Sequence, residues 1–248
     1  MTIKMFKMKQ KGLYELLMDN GNTYSFYEEV ILKYELLLSK EIDNKQLPIL
    51  IKENKKYECY YKALARLNRK AEAKNSLVRY LLGKEYNDED IEFTIEKLEK
   101  QGYLNDSNYA SSYVNNKVLT TSWGKGKIKK QLLQKGVSEE DSINALELYS
   151  KDIELEKLVK RINKKISSNH DKSNKMLKLK LERDLIGEGF SKELINKALS
   201  EAEFKDDREI AKRIYERLVA KLERKYDGKE LEYKVKQKMI LLGFDVSD

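Results

Sequence analysis

This chain of 248 residues contains one proline, one cysteine, one histidine and one tryptophan. With Pro48 as the lone proline, nothing after residue 48 carries the ring that removes a helical hydrogen bond. The lone Cys59 excludes an internal disulfide, and its place among Tyr57, Tyr60 and Tyr61 reads as a buried thiol. His170, in Ser168-Asn169-His170-Asp171, has no His or Cys companion, so the patterns of a metal site or an activated nucleophile are missing. Gly124-Lys125-Gly126-Lys127 lacks the spacing and the Ser or Thr of a phosphate-binding loop. No catalytic residue, metal or other cofactor is expected. No apolar run approaches the ~18 residues that span a bilayer, and the opening residues lack a signal-peptide apolar core. The expectation is a cytoplasmic protein that makes no membrane contact.

What the chain has is charge and periodicity. Asp, Glu, Lys and Arg make up 37% of residues against 40% apolar, and the net charge is +8, a balance suited to long solvated helical faces more than to one thick core. A helix-end pattern recurs four times: Leu81-Leu82-Gly83-Lys84-Glu85-Tyr86-Asn87, Leu132-Leu133-Gln134-Lys135-Gly136-Val137-Ser138, Leu185-Ile186-Gly187-Glu188-Gly189-Phe190-Ser191 and Met239-Ile240-Leu241-Leu242-Gly243-Phe244-Asp245. Each copy reads as an apolar pair closing one helix, a left-handed turn at Glu85, Gly136, Gly189 or Gly243, an apolar residue, and a cap for the next helix. Successive turns are 51 (85 to 136), 53 (136 to 189) and 54 (189 to 243) residues apart, the mark of a tandem repeat. Glu85 stands where the other copies have Gly, so its turn is expected to differ or to be strained. Leu77, Ile128, Leu181 and Val235, eight residues before the turn, share a helical face with Leu81, Leu132, Leu185 and Met239. These, with Ile95, Leu146 and Leu199 ten residues after the turn, are the expected core.

The first 47 residues follow other rules. Asp19-Asn20-Gly21-Asn22 joins strands over 13–18 and 23–27, a third strand is expected over 3–9, and a helix over 28–38 places Val30, Ile31, Tyr34, Leu37 and Leu38 on one face. Seven Lys balance seven acids here, so the net charge lies beyond it. From Pro48, helices are expected over 49–68, 71–84, 88–101, 106–119, 125–135, 139–150, 152–167, 172–187, 191–202, 206–227 and 229–242. The fold class is therefore mainly α: three tandem three-helix units and a partial fourth (about 48–102, 103–150, 151–203 and 204–248) behind a small β-hairpin and helix at 1–47. A stack of this kind is elongated, ~60 to 80 Å long.

Charge is segregated along the repeat. Six Lys and no acid occupy 107–138, seven basic residues and one acid 62–84, and nine and one 157–181, whereas 85–106 holds eight acids and 139–154 six. Basic middle helices thus alternate with acidic third helices, and stacking would align the cations into a stripe suited to a phosphate backbone or an acidic protein groove. The binding candidates are Lys125, Lys127, Lys129 and Lys130, then Lys175, Lys178 and Lys180, then Arg69, Lys70, Lys74 and Arg79. Taken singly, each is an ordinary solvated cation.

Two stretches are more specific. In Gly102-Tyr103-Leu104-Asn105-Asp106 a Gly end, a Tyr-Leu plug and an Asp cap join two helices, with Tyr109 and Tyr113-Val114 following. These residues, with Gly136, Gly189 and Gly243, read as architectural, and the four-residue spacing of Tyr109 and Tyr113 fits a helical core better than a base-stacking platform. Then Trp123-Gly124-Lys125-Gly126-Lys127 opens a basic amphipathic helix that ends in Lys135-Gly136-Val137. Together they resemble the RecX family of recombination regulators over about residues 60–149, and the repeat spacing and N-terminal hairpin agree with its longer members. One departure is Arg69-Lys70-Ala71-Glu72-Ala73-Lys74, which keeps the charge of the family's helix opening but not its Ser cap.

The resemblance implies a non-enzymatic protein that lies in the groove of the RecA recombinase filament on single-stranded DNA and limits filament growth, ATP hydrolysis, strand exchange and induction of the damage response; a monomer is expected. Read from its residues alone, the stripe serves equally a general nucleic-acid-binding helical repeat or a scaffold for an acidic partner. Sequence readout by a helix-turn-helix fits less well, because no helix carries the Arg, Asn and Gln mixture that reads base edges.

Overall fold

The computed structural model describes residues 1–244, so Asp245, expected as the cap of the fourth copy, lies outside the described residues. Three strands, β1 (Ile3–Gln10), β2 (Leu13–Met18) and β3 (Thr23–Tyr27), form an antiparallel meander, with Leu13 opposite Tyr27 and Leu17 opposite Thr23. Thirteen helices follow among the described residues: α1 (Glu28–Lys33), α2 (Leu36–Ser39), α3 (Leu47–Leu67), α4 (Lys74–Leu82), α5 (Asp88–Lys100), α6 (Asp106–Thr120), α7 (Lys125–Gln134), α8 (Glu139–Leu146), α9 (Lys151–Ser167), α10 (Asn174–Gly187), α11 (Lys192–Glu201), α12 (Asp207–Leu222) and α13 (Gly228–Leu241). The protein is mainly helical with a small N-terminal sheet.

Two compact units result. The first comprises 1–110 with the turn 135–138, and the second 111–134 with 139 onwards. In the first, Ile3, Leu16, Met18, Phe26, Val30, Ile31, Leu36, Ile42 and Leu50 make one core, and α3, α4 and α5 close around Cys59, Leu77, Leu81, Ile95 and Leu98. The sheet is tied to α3 by Asn54, which accepts from the Tyr27 amide (2.8 Å) and donates to the Ser25 carbonyl, and by Tyr61, which stacks on Tyr27. In the second unit, α9–α11 enclose Leu158, Ile162, Leu177, Leu181, Leu185 and Ile195, and α12 and α13 enclose Ile210, Ile214, Val235 and Met239.

The periodic positions are the core ones. Leu77, Ile128, Leu181 and Val235 are at most 2% exposed, and Leu81, Leu132, Leu185 and Met239 at most 4%. Expected helix bounds shift in places. The 28–38 helix breaks in two at Glu35, whose φ of +51° is left-handed; Leu36 turns inward instead, leaving Leu37 and Leu38 exposed. Helix α4 starts at Lys74, not 71: Ala73 is extended at its N-cap (ψ 150°), and Glu72 lies in the preceding connection, paired with Arg66. Helices α8 and α12 stop at Leu146 and Leu222, short of 150 and 227.

The recurrent turn after the middle helix is a double-bonded Schellman closure. Phe190 N–H donates to Leu185 O and Gly189 N–H to Ile186 O, and Phe244 with Met239 and Gly243 with Ile240 repeat the pair. Glu85 (φ +63°) makes the same turn as Gly136, Gly189 and Gly243 (φ +82° to +89°), with Tyr86 N–H donating to Leu81 O and Glu85 N–H to Leu82 O. The difference lies in what meets the turn. A β-carbon on Gly189 would collide with the Lys127 backbone, one on Gly136 with Asn75, and one on Gly243 would lie 2.6 Å from Ser173 Oγ and Met176 Cγ. Glu85 is exposed, so a side chain there costs only the backbone conformation.

Candidate partner-binding surface

The middle helices are positioned by two devices at their N-termini, where amides lack carbonyl partners and the helix dipole is positive. First, a carboxylate from the first turn of the next repeat accepts the leading amide. Asp106 takes the Lys74 N–H (2.7 Å), Glu154 the Lys125 N–H (2.8 Å) and Asp207 the Asn174 N–H (2.9 and 3.0 Å). Ala73 stands at the N-cap of α4 without a side-chain oxygen, so Asp106 serves the leading amide alone, whereas in α10 Ser173 caps the Met176 amide beside Asp207. Second, the starts of α4, α7 and α10 are bonded to a glycine turn. Asn75 Nδ2 donates to Gly136 O, Ser76 to Lys135 O, Gly124 N–H to Glu188 O, Gly126 N–H to Gly189 O, and Ser173 to Leu242 O. Within the second unit this sets α7, α10 and α13 in a fixed succession.

The cations sit on this frame in three clefts. In the first unit, Lys62, Arg66, Arg69, Lys70, Glu72, Tyr80 and Lys84 line a cleft of about 570 Å³. Arg66 is bidentate to Glu72 (2.7 and 2.8 Å), its guanidinium 3.9 Å from the Tyr80 ring, so its charge is met inside the cleft. Lys62, Arg69, Lys70 and Lys84 are exposed around it and make no ion pair among the described residues. In the second unit, Lys125, Lys127 and Lys130 face the Ile186–Ser191 turn, with Lys127 Nζ 4.5 Å from the Trp123 ring and Lys117 Nζ 5.1 Å from it. A further cleft collects Thr120, Thr121 and Ser122 with Lys157, Lys160, Arg161 and Lys164. There Lys157 donates to the Val118 and Thr121 carbonyls at the end of α6, and burial lowers its pKa, while Arg161 pairs with Glu188 (2.7 Å).

Not all the candidate cations are equivalent. Lys74 pairs with Glu99 and Lys129 with Glu139, both at 2.8 Å, and Arg79 donates to the Asn75 carbonyl. Lys175, Lys178 and Lys180 are exposed on α10, with Lys178 Nζ 4.5 Å from the Phe204 ring. The basic segments are also not confined to middle helices. Lys157, Lys160, Arg161 and Lys164 belong to α9, a first helix, as do Lys62 and Arg66 on α3. Their spacing of i, i+3, i+4 and i+7 marks one face and is the signal that a count by segment misses.

Of the architectural set, Gly102 (φ +74°) makes its turn and Leu104 is 3% exposed, but Tyr103 is 55% exposed, so Leu104 alone is the plug. Asn105 caps α6, its side chain accepting the Asn108 amide at 2.9 Å. On α6 the buried residues are Ala110 and Val114, and Tyr109 and Tyr113 lie half-buried beside them, Tyr113 under Lys117. Cys59 is fully buried, and burial pushes its thiol up to about 11, which keeps it protonated. His170 is exposed. Among the described residues no three His, Cys, Asp or Glu side chains converge as a metal site, and no helix is long and apolar enough to cross a membrane.

A mainly helical chain behind a small N-terminal sheet, with one helix-end turn recurring along it and basic clefts on its helices, defines the class as a helical protein built on a repeated turn. Residues 105–146 match the family model of the second three-helix domain of RecX. The chain is 30% identical to the regulatory protein RecX of Bacillus cytotoxicus over 97% of its own length and 92% of that protein's. It is 27% identical to that of Limosilactobacillus reuteri over 99% and 94%. A crystal structure of a regulatory protein RecX aligns over 81% of this chain and 99% of that one, with a TM-score of 0.71 and 25% identity. RecX from Lactobacillus salivarius aligns over 60% and 97%, with a TM-score of 0.57 and 27% identity. The chain belongs to the RecX family.

Proposed function

We propose that this protein is a non-catalytic regulator that binds the RecA filament on single-stranded DNA along its groove and limits filament extension, ATP hydrolysis and strand exchange. The observation that carries the reading is the frame that holds Lys125, Lys127 and Lys130 at one cleft within a chain of this family. Rigid elements position such charges more closely than loops do, and a run of similar units suits a partner that is itself a repeating polymer. Reversing Lys125, Lys127, Lys129 and Lys130 to Glu abolishes inhibition of RecA-catalysed ATP hydrolysis without unfolding the protein. Because Lys129 pairs with Glu139, the triple reversal at Lys125, Lys127 and Lys130 carries most of that loss. Full inhibition by a folded quadruple variant overturns this use of the surface.

The second reading is a helical repeat that binds nucleic acid by itself. It is favoured by the cleft of Lys62, Arg69, Lys70 and Lys84, whose cations lack acidic partners among the described residues. It predicts affinity for single strands that falls steeply with salt, and no dependence on RecA.

A further inference from the structure

In each copy of the repeat, the apolar pair that ends the middle helix is divided. The first member is buried, and the second is exposed: Leu82 at 47%, Leu133 at 43%, Ile186 at 48% and Ile240 at 62%. Single exposed aliphatic residues are ordinary, but the same register in four copies is a pattern. The turn does not require it. In a Schellman closure the apolar contact is made by the residue whose carbonyl accepts the longer bond, here Leu81, Leu185 and Met239, with Tyr86, Phe190 and Phe244. Leu82, Ile186 and Ile240 enter the closure through their carbonyls, which any residue supplies. One helical turn earlier, at i−3 on the same face, stand Arg79, Lys130 and Arg183 in the first three copies and Gln237 in the fourth, all exposed. Two turns earlier, α10 and α13 add exposed Leu179 (50%) and Tyr233 (58%).

A phosphate backbone has no use for an aliphatic side chain beside each cation. We infer that Leu133, Ile186 and Ile240, with Lys130 and Arg183, form a protein-docking surface whose occupant is a polypeptide presenting apolar sockets bordered by carboxylates. Leu82 with Arg79 offers the same pair in the first unit. The inference rests on the filament reading and specifies its contact: the protein component of the filament meets these aliphatic residues, and the nucleic acid does not. A few fully desolvated anchors carry most of the energy in protein interfaces, Arg among them, and apolar burial resists salt where phosphate contacts do not.

The test is the double variant Leu133→Ser/Ile186→Ser, measured in three ways: thermal melting, binding of the protein alone to single-stranded DNA, and inhibition of RecA ATPase. The expected result is an unchanged melt, unchanged DNA affinity and an inhibitory concentration raised at least about tenfold, corresponding to ~1.4 kcal/mol. Leu133→Met/Ile186→Val retains inhibition. Wild-type inhibition by the Ser variant overturns the docking surface and leaves the filament reading standing. A parallel loss of DNA affinity, or a lowered melting temperature, also overturns it, because the residues then serve nucleic acid or packing. A wild-type protein that fails to inhibit overturns the filament reading and the docking surface with it.

Discussion

Glu85 and Gly189 occupy the same place in two copies of one turn, and their different identities follow from their neighbours. Both backbones are left-handed, at φ +63° and +89°. At Gly189 the Lys127 backbone fills the space of a side chain, and at Glu85 the side chain stands in solvent. Glu85→Gly is therefore expected to stabilise the protein by about 1 kcal/mol, the relief of a left-handed non-glycine residue. Gly189→Ala combines that strain with a collision and is expected to cost about 2 kcal/mol or more. Urea denaturation of the two variants checks both signs, and a destabilising Glu85→Gly would show that the Glu side chain has a packing role.

At the scale of the element, middle helices depend on residues about thirty positions away. Asp106, Glu154 and Asp207 serve as caps for helices of the preceding repeat, so each repeat is completed by the next. Glu154→Ala leaves the Lys125 amide without an acceptor and is expected to cost about 0.5 to 2 kcal/mol, with Gln at this position recovering part of it. The midpoint of urea unfolding reports the difference, and no change in either variant would remove the capping role. The helices themselves were legible because Leu77, Leu81 and their equivalents keep a helical spacing, and the strands because Asn20-Gly21 punctuates alternating segments. The caps were not, since Asp106 read as the start of its own helix and nothing local ties it to Lys74. The break at Glu35 was equally hidden, because Glu35, unlike Glu85, has no glycine-bearing copies elsewhere in the chain to mark a left-handed turn.

For the whole molecule, the repeat and its period were open to view in four copies of one turn, and the residues around Gly102 and Trp123 pointed to the family. The candidate surface was legible only in part. Composition by segment marked Lys125, Lys127 and Lys130, which one cleft gathers, but it also marked Lys74 and Lys129, which tertiary contacts pair with Glu99 and Glu139. It counted Lys62, Lys84, Lys160 and Lys164 within basic segments without singling them out, because their placement in the two clefts depends on how helices pack. The measurement that tests the central claim most directly is the single-stranded-DNA-dependent ATPase of the cognate RecA, with this protein added below one copy per RecA protomer. The account predicts inhibition at that ratio, stronger than competition for DNA explains. Unchanged hydrolysis, with salt-sensitive DNA binding by the protein alone, would contradict it.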